Sequence, residues 1–290
     1  MRTEMTSLCE EFTLGRTRQA VIFLPGLCGT YQELGSIPKL VRDLGHTTCT
    51  PKITGYYAQT GLETYDIWLA ELDQVVDWLY EDHDDVVIVG LSMGATLALA
   101  YEADYQKTRG VVALSPVLAY DGWSVPWYYP LLYFVFKLGI DGWHYKESEP
   151  YGLRNPEVRR RVAKQIQEQE TTEVGSASLS AKHLYQGLRL IAFTKKMVNQ
   201  FKADLLVISS IDDDVVSPPT TEWLCKTVAS STRKLIWLGG SYHIITLDNE
   251  REIVVNESVE FIQGIFGKAK TLMNYSEEAK QLIIRDRLAE

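Results

Sequence analysis

Residues 86–103 read VVIVGLSMGATLALAYEA, and this stretch constrains the fold most. Val86–Val89 is apolar throughout and mostly β-branched, which favours a strand. Ala95 to Ala103 is rich in good helix formers. Only Gly90-Leu91-Ser92-Met93-Gly94 joins the two. A turn this sharp crowds its neighbours and leaves no room for side chains at the glycine positions. The strand shows no polar alternation, so it must be buried on both faces, as in a parallel sheet covered by helices.

The rest of the chain repeats the alternation. Ala20–Leu24, Val111–Leu114, Leu205–Ile208 and Leu235–Leu238 are further apolar runs. Leu62, Tyr65, Trp68, Leu69, Leu72, Val75, Val76 and Leu79 recur at three and four residues, as does the apolar pattern of Glu250 to Phe266, so both segments predict amphipathic helices. Strands separated by helices indicate an α/β fold with a mostly parallel central sheet. With 46% apolar and 23% charged residues, the chain is neither disordered, collagenous nor a coiled coil. Its 290 residues suit one large domain, or a domain with an insertion.

The alternation breaks between Tyr120 and Asn199, where no convincing strand is expected. Trp123–Tyr151 holds ten of the chain's 31 aromatic residues, and Glu157–Glu168 has a basic helical pattern. A core of residues 1–119 and 200–290 with a helical insertion at 120–199 is the expected organisation. Val125 to Ile140 is apolar, but Pro126, Pro130 and Lys137 interrupt it, and it is shorter than the roughly 20 residues of a membrane span. It is instead an apolar surface for the protein or a ligand to cover. The tail after Gly267 has the pattern of a separate short helix.

The net charge of -9 opposes a general nucleic-acid partner. Cys9, Cys28, Cys49 and Cys225 form neither a metal-type pair nor a disulfide framework, so a reduced, cytoplasmic setting is expected. The polar N-terminal segment reads as neither signal peptide nor anchor.

The Gly90–Gly94 turn would present Ser92 at the end of the sheet, beside the start of a helix. A serine hydroxyl needs a base to take its proton, and the base needs an orienting acid. Of His46, His83, His144, His183 and His243, only His243 follows a late strand and an acid-bearing loop. His144 and His183 fall in the insertion and could meet a ligand. Asp212, Asp213 and Asp214 all directly follow the LLVIS run, and each is a candidate acid. Attack on a carbonyl also creates an oxyanion that needs two N–H donors. These would be Met93, after the serine, and Leu27, in the Pro25–Gly29 loop after Ala20–Leu24. Cys28 beside it reads as a packed thiol.

The segments FLPGLCGT, VVIVGLSMGATLAL, SSIDDDVVSPPTTEWL and GGSYHIITLD together resemble the α/β-hydrolase superfamily, most of all its bacterial carboxylesterase and monoacylglycerol lipase branch. The resemblance runs from about residue 20 to 265. It implies an α/β-hydrolase fold with Ser92 as nucleophile, Asp213 as acid and His243 as base, and with 120–199 as a helical cap. Asp213 takes the acid's place because Val215, Val216 and Pro218 follow it at the family's spacing. Asp212 and Asp214 would then stay solvated. Pro25-Gly26 stands where the family has His-Gly, yet a backbone donor survives that change. The implied enzyme is a serine hydrolase of carboxylic esters with an apolar acyl chain, needing no metal or organic cofactor. Trp123, Trp127, Tyr128 and Phe134 would bind the acyl chain, and a cap of this kind could touch a membrane surface transiently. Oligomeric state is not encoded in any pattern. A thioesterase is the first alternative, with Arg154, Arg159, Arg160, Arg161 and Lys164 meeting a phosphate. A non-catalytic ligand receptor on the same fold is the second, which a full serine, acid and histidine set opposes.

Overall fold

The computed structural model describes residues 8–57, 61–146, 149–168, 171–172, 175–176 and 178–267. The chain runs β1 (Cys9–Thr13), β2 (Gln19–Leu24), α1 (Ile37–Asp43), β3 (Thr47–Pro51), α2 (Tyr65–Asp82), β4 (Asp85–Leu91), α3 (Met93–Tyr105) and β5 (Gly110–Leu114). It then passes through α4 (Leu132–Lys137), β6 (His144–Lys146), α5 (Pro156–Glu168), β7 (Thr171–Thr172), β8 (Gly175–Ser176), β9 (Ser178–Ser180) and α6 (Ala181–Met197). It returns through β10 (Asp204–Ser210), α7 (Pro218–Thr227), β11 (Arg233–Leu238) and α8 (Arg251–Ile265).

Seven strands form one sheet in the order β1-β3-β2-β4-β5-β10-β11. β1 is antiparallel to β3, and every other neighbouring pair is parallel. The five apolar runs read from the sequence all lie in this sheet, because both faces are covered. In β2, Ala20, Ile22 and Leu24 pack with Trp68 and Leu72 of α2, whereas Val21 and Phe23 pack with Val41 of α1 and Val259 of α8.

The chain leaves β2 toward β3 on one side and comes back to β4 on the other. The connections after β2 and β4 therefore diverge, which opens a crevice at the carboxyl ends of these strands. Pro25–Gly29 and Ser92 both follow those ends.

Two local expectations need correction, and two strands lie where no sequence pattern predicts them. β1 and β3 escape a search for apolar runs, since CEEFT and TTCTP are polar, although β3 is wholly buried. Leu62 precedes α2 and is exposed, so the helix starts later than the periodicity implies. Residues 120–199 do contain strands: β6 pairs with β9 and β7 with β8, in segments too short to carry a period. The tail after Gly267 lies outside the described residues.

α3 is buried from Met93 through Ala103, because α6 covers the side turned away from the sheet. α5 packs Val158 and Val162 with Leu153 against Ile244 and Leu247, next to His243. All four cysteines are free, and the fold brings the Cys9 and Cys49 sulfurs to 2.6 Å across β1 and β3. Among the described residues no helix is long and apolar enough to cross a membrane.

Candidate active site

Ser92 sits between β4 and α3 with φ 57° and ψ -120°. An L residue rarely adopts this conformation, and holding one there costs about 1–3 kcal/mol. The surrounding packing imposes it. A Cβ on Gly94 would stand 2.2 Å from the Leu24 carbonyl oxygen, and one on Gly90 would stand 2.4 Å from the Gly94 carbonyl. The Ser92 N–H donates to the Leu114 carbonyl at 2.8 Å, which ties the turn to β5.

His243 Nε2 lies 2.9 Å from Ser92 Oγ, and Nδ1 lies 2.9 Å and 3.0 Å from the two Asp213 oxygens. A carboxylate only accepts, so Nδ1 carries the proton and Nε2 is left to accept from the serine hydroxyl. His243 and Asp213 are both buried. Asp213 Oδ1 also accepts from the Val215 and Val216 N–H groups at 2.8 Å and 2.9 Å. Val216 is buried in the core, and Pro218 opens α7, where a missing N–H costs nothing.

The three neighbouring aspartates thus have three environments. Asp212 lies at the surface and pairs with Arg154 at 2.7 Å. Asp214 is buried, against the expectation that it stays solvated, because its Oδ1 accepts from the His243 backbone N–H at 3.3 Å. Burial pushes its carboxyl above the ordinary range, and the adjacent Asp213 adds to that shift while His243 opposes it.

The loop after β2 is held at several points. Tyr56 Oη donates to the Pro25 carbonyl at 2.7 Å, the Cys28 N–H donates to the Tyr56 carbonyl at 3.0 Å, and the Gly26 N–H donates to Glu33 Oε2 at 2.8 Å. Among the described residues no acceptor takes the N–H of Leu27 or Met93. The two side chains meet beside Gly187 of α6, where an added Cβ would lie 3.1 Å from Met93 Cε and 3.3 Å from Leu27 Cδ2. Burial, with Glu33 nearby, pushes the Cys28 thiol up to about 12, so it is not a nucleophile at neutral pH.

The other histidines are occupied or remote from these atoms. His46 bonds Thr17, and His83 bonds Thr47 and the Leu79 carbonyl. His183 bonds Ser180 at the start of α6, and burial lowers its pKa. His144 is exposed in β6. Among the described residues no group of three or more His, Cys, Asp or Glu is arranged to hold a metal ion.

Two carboxylates that position the histidine loop were not identified from sequence. Asp248, fully buried, accepts from the N–H groups of Arg154, Asn155 and Tyr242. Glu250 accepts from Gly239, Gly240 and the Ser241 hydroxyl. Their signal was faint: acids close behind a Gly-Gly loop. Of the four aromatic candidates, Trp123 stacks edge-on with Tyr242 at 5.4 Å, beside His243, and donates to the Asp212 carbonyl. Trp127, Tyr128 and Phe134 are exposed. Arg154 bonds Asp212 and the Gly239 carbonyl, while Arg159 and Arg160 donate to nearby carbonyls.

The chain is similar to a thermostable monoacylglycerol lipase of Bacillus sp. (strain H-257), 24% identical over 83% of this chain and 89% of that one. It is also similar to a carboxylesterase of Bacillus subtilis (strain 168), 23% identical over 88% of this chain and 96% of that one. The fold matches the crystal structure of the Paleococcus ferrophilus monoacylglycerol lipase with a TM-score of 0.73, at 20% identity over 88% of this chain and 99% of that one. The model of the serine aminopeptidase S33 family matches residues 15–251. The chain therefore belongs to that family, as a serine ester hydrolase of the esterase and lipase branch of the α/β-hydrolases.

Proposed function

We propose that Ser92, His243 and Asp213 form a catalytic triad that cleaves carboxylic esters with an apolar acyl chain. The observation that carries this reading is the unbroken chain of contacts from Ser92 Oγ through His243 to Asp213. Ser92 Oγ attacks the ester carbonyl while His243 Nε2 takes its proton. Asp213 holds the tautomer and stabilises the imidazolium. The oxyanion accepts from the N–H groups of Leu27 and Met93. His243 returns the proton to the leaving alcohol, and an activated water then releases the acid from the acyl-enzyme.

Residues 120–199 act as a cap over the site in this reading. The exposed apolar side chains of Trp127, Leu131, Phe134 and Leu138 supply a surface for an acyl chain and suit transient contact with lipid. Reaction of Ser92 with a fluorophosphonate probe tests the mechanism, together with kcat/KM for matched ester and thioester series of increasing acyl length. Probe labelling lost in Ser92→Ala, with rates rising from acetate toward longer esters, is the expected result. Retained hydrolysis in Ser92→Ala refutes the triad. A preference for thioesters instead selects the acyl thioesterase, and binding without turnover selects a receptor.

A further inference from the structure

The Leu27 N–H can serve a transition state only if its peptide is held in one orientation. That is a demanding requirement here, because Gly26 precedes it, and a glycine by itself fixes neither neighbouring peptide plane. The structure answers with a carboxylate. Glu33 lies in the 3₁₀ turn Tyr31–Leu34, only 2% exposed, and its Oε2 accepts from the Gly26 N–H at 2.8 Å. The loop is moulded around this group. A Cβ on Gly29 would stand 2.4 Å and 2.5 Å from the two carboxylate oxygens, and one on Gly26 would stand 3.0 Å from Oε2. A buried carboxylate is costly unless bonded, and a charge-assisted bond to a backbone N–H is among the stronger ones available.

The same residue reaches the other side of the site. The Thr246 hydroxyl donates to the Glu33 carbonyl. Gly35, at φ 59°, closes the turn so tightly that a Cβ would lie 2.8 Å from the Thr246 carbonyl oxygen. Thr246 is three residues beyond His243.

We propose that Glu33 is a positioning residue for the oxyanion loop. Its carboxylate fixes the Pro25–Gly26 peptide, one plane before the peptide that carries the Leu27 N–H. The Gly26 carbonyl of that next peptide accepts from the Gly29 N–H at 2.8 Å. Glu33's own carbonyl locks the same turn to the loop of the general base. This rests on the triad and oxyanion assignment above. Glu33 does not touch the substrate, so its removal acts on transition-state stabilisation and leaves ground-state binding nearly intact.

The test measures kcat and KM on a p-nitrophenyl butyrate substrate, and inhibition by an alkyl boronic acid, which forms a tetrahedral adduct on the serine. Glu33→Ala, Glu33→Gln, Glu33→Asp and Ser92→Ala are compared with the wild type. Loss of a direct oxyanion donor costs about 10²–10³-fold, so loosening one is expected to lower kcat in Glu33→Ala about 10–100-fold. KM should stay within about threefold, and boronate affinity should fall with kcat. Glu33→Gln keeps an acceptor oxygen in place and should recover most of the loss. Glu33→Asp, one methylene short, should not. If Glu33→Ala fails to fold, the order of Gln above Asp decides, and the reverse order overturns the role. A folded Glu33→Ala with unchanged kcat and boronate affinity also overturns it. If Ser92→Ala still hydrolyses the ester, the site assignment itself fails. If Ser92→Ala is dead while Glu33→Ala is unaffected, only the role of Glu33 fails.

Discussion

The ends of the central strands and the stretch after β5 differ sharply in burial. Leu24, Leu91, Leu114 and Ile208, at or near the ends of β2, β4, β5 and β10, are completely buried. In the stretch after β5, Trp127 is 87% exposed, Leu138 76% and Phe134 62%. Reacting atoms need positions fixed to fractions of an ångström, and only packed backbone supplies that. An acyl chain needs apolar area without directional bonds, which exposed side chains provide. Under the proposed function, geometry and selectivity fall to different parts of one chain, and substitutions should separate them.

The largest effect is expected where the buried half holds the imidazole. Asp213→Asn should lower kcat by up to about 10⁴-fold, since the amide stabilises the wrong tautomer. Asp212→Asn should be much milder, because Asp212 faces solvent and pairs with Arg154. Measured kcat for the two variants tests this, and a greater loss at Asp212 would break the assignment.

A second substitution probes the backbone directly. Gly94→Ala places a methyl group against the Leu24 and Pro25 carbonyl oxygens, at 2.2 Å and 2.3 Å before relaxation. Overpacking of this kind costs about 1–3 kcal/mol. It should also lower kcat, since the turn that carries Ser92 must shift. Denaturant unfolding and kcat report the two effects separately. A variant with wild-type stability and rate would show that close packing does not set the serine geometry.

The same division explains what the sequence made legible. Val86–Val89 and Gly90–Gly94 could be read because burial on both sheet faces and a crowded turn leave few residue types acceptable. Pro218 and the valine pair after Asp213 likewise had local meaning. By contrast, β3 is a threonine-rich strand buried by its neighbours, so no local pattern announces it. Asp214 resembles Asp212 in sequence, and it is packed by two segments distant in the chain, the histidine loop about 30 residues later and the Gly122–Ser124 turn about 90 residues earlier. Glu33, Asp248 and Glu250 were missed for the same reason: each serves backbone donors that the fold brings near.

Substitutions in the exposed half should change selectivity and little else. Each methylene buried from water contributes roughly 0.8 kcal/mol, or up to about fourfold in kcat/KM. Replacing Trp127 and Phe134 together by serine should flatten the rise of kcat/KM with acyl length while sparing acetate esters. Stability should barely change, because both side chains are already largely in water. An unaltered chain-length profile would remove these two residues from the acyl surface, and a fall on every substrate alike would show that the two halves are not separable.

The smallest effect is expected at Asp214, where the two kinds of environment meet. Its folded pKa is raised above the ordinary 3.8, chiefly by burial. A carboxyl shifted in this direction binds its proton more tightly when folded. Its protonated form therefore supports stability most fully below the unfolded value, and that support is lost as pH rises through the folded pKa. An amide at this position would keep a carbonyl oxygen for the His243 N–H without burying a charge. Asp214→Asn should accordingly melt close to the wild type at acid pH and gain on it as pH rises above about 4, reaching a plateau once the native carboxyl has ionised. Its kcat should remain within a few-fold of the wild type, because Nδ1 still faces Asp213. Thermal melts across pH 3–8 measure the difference. If Asp214→Asn instead lost stability steadily toward neutral pH, the ionised carboxylate would be a favourable partner of the histidine loop, and burial would not be the dominant influence on it.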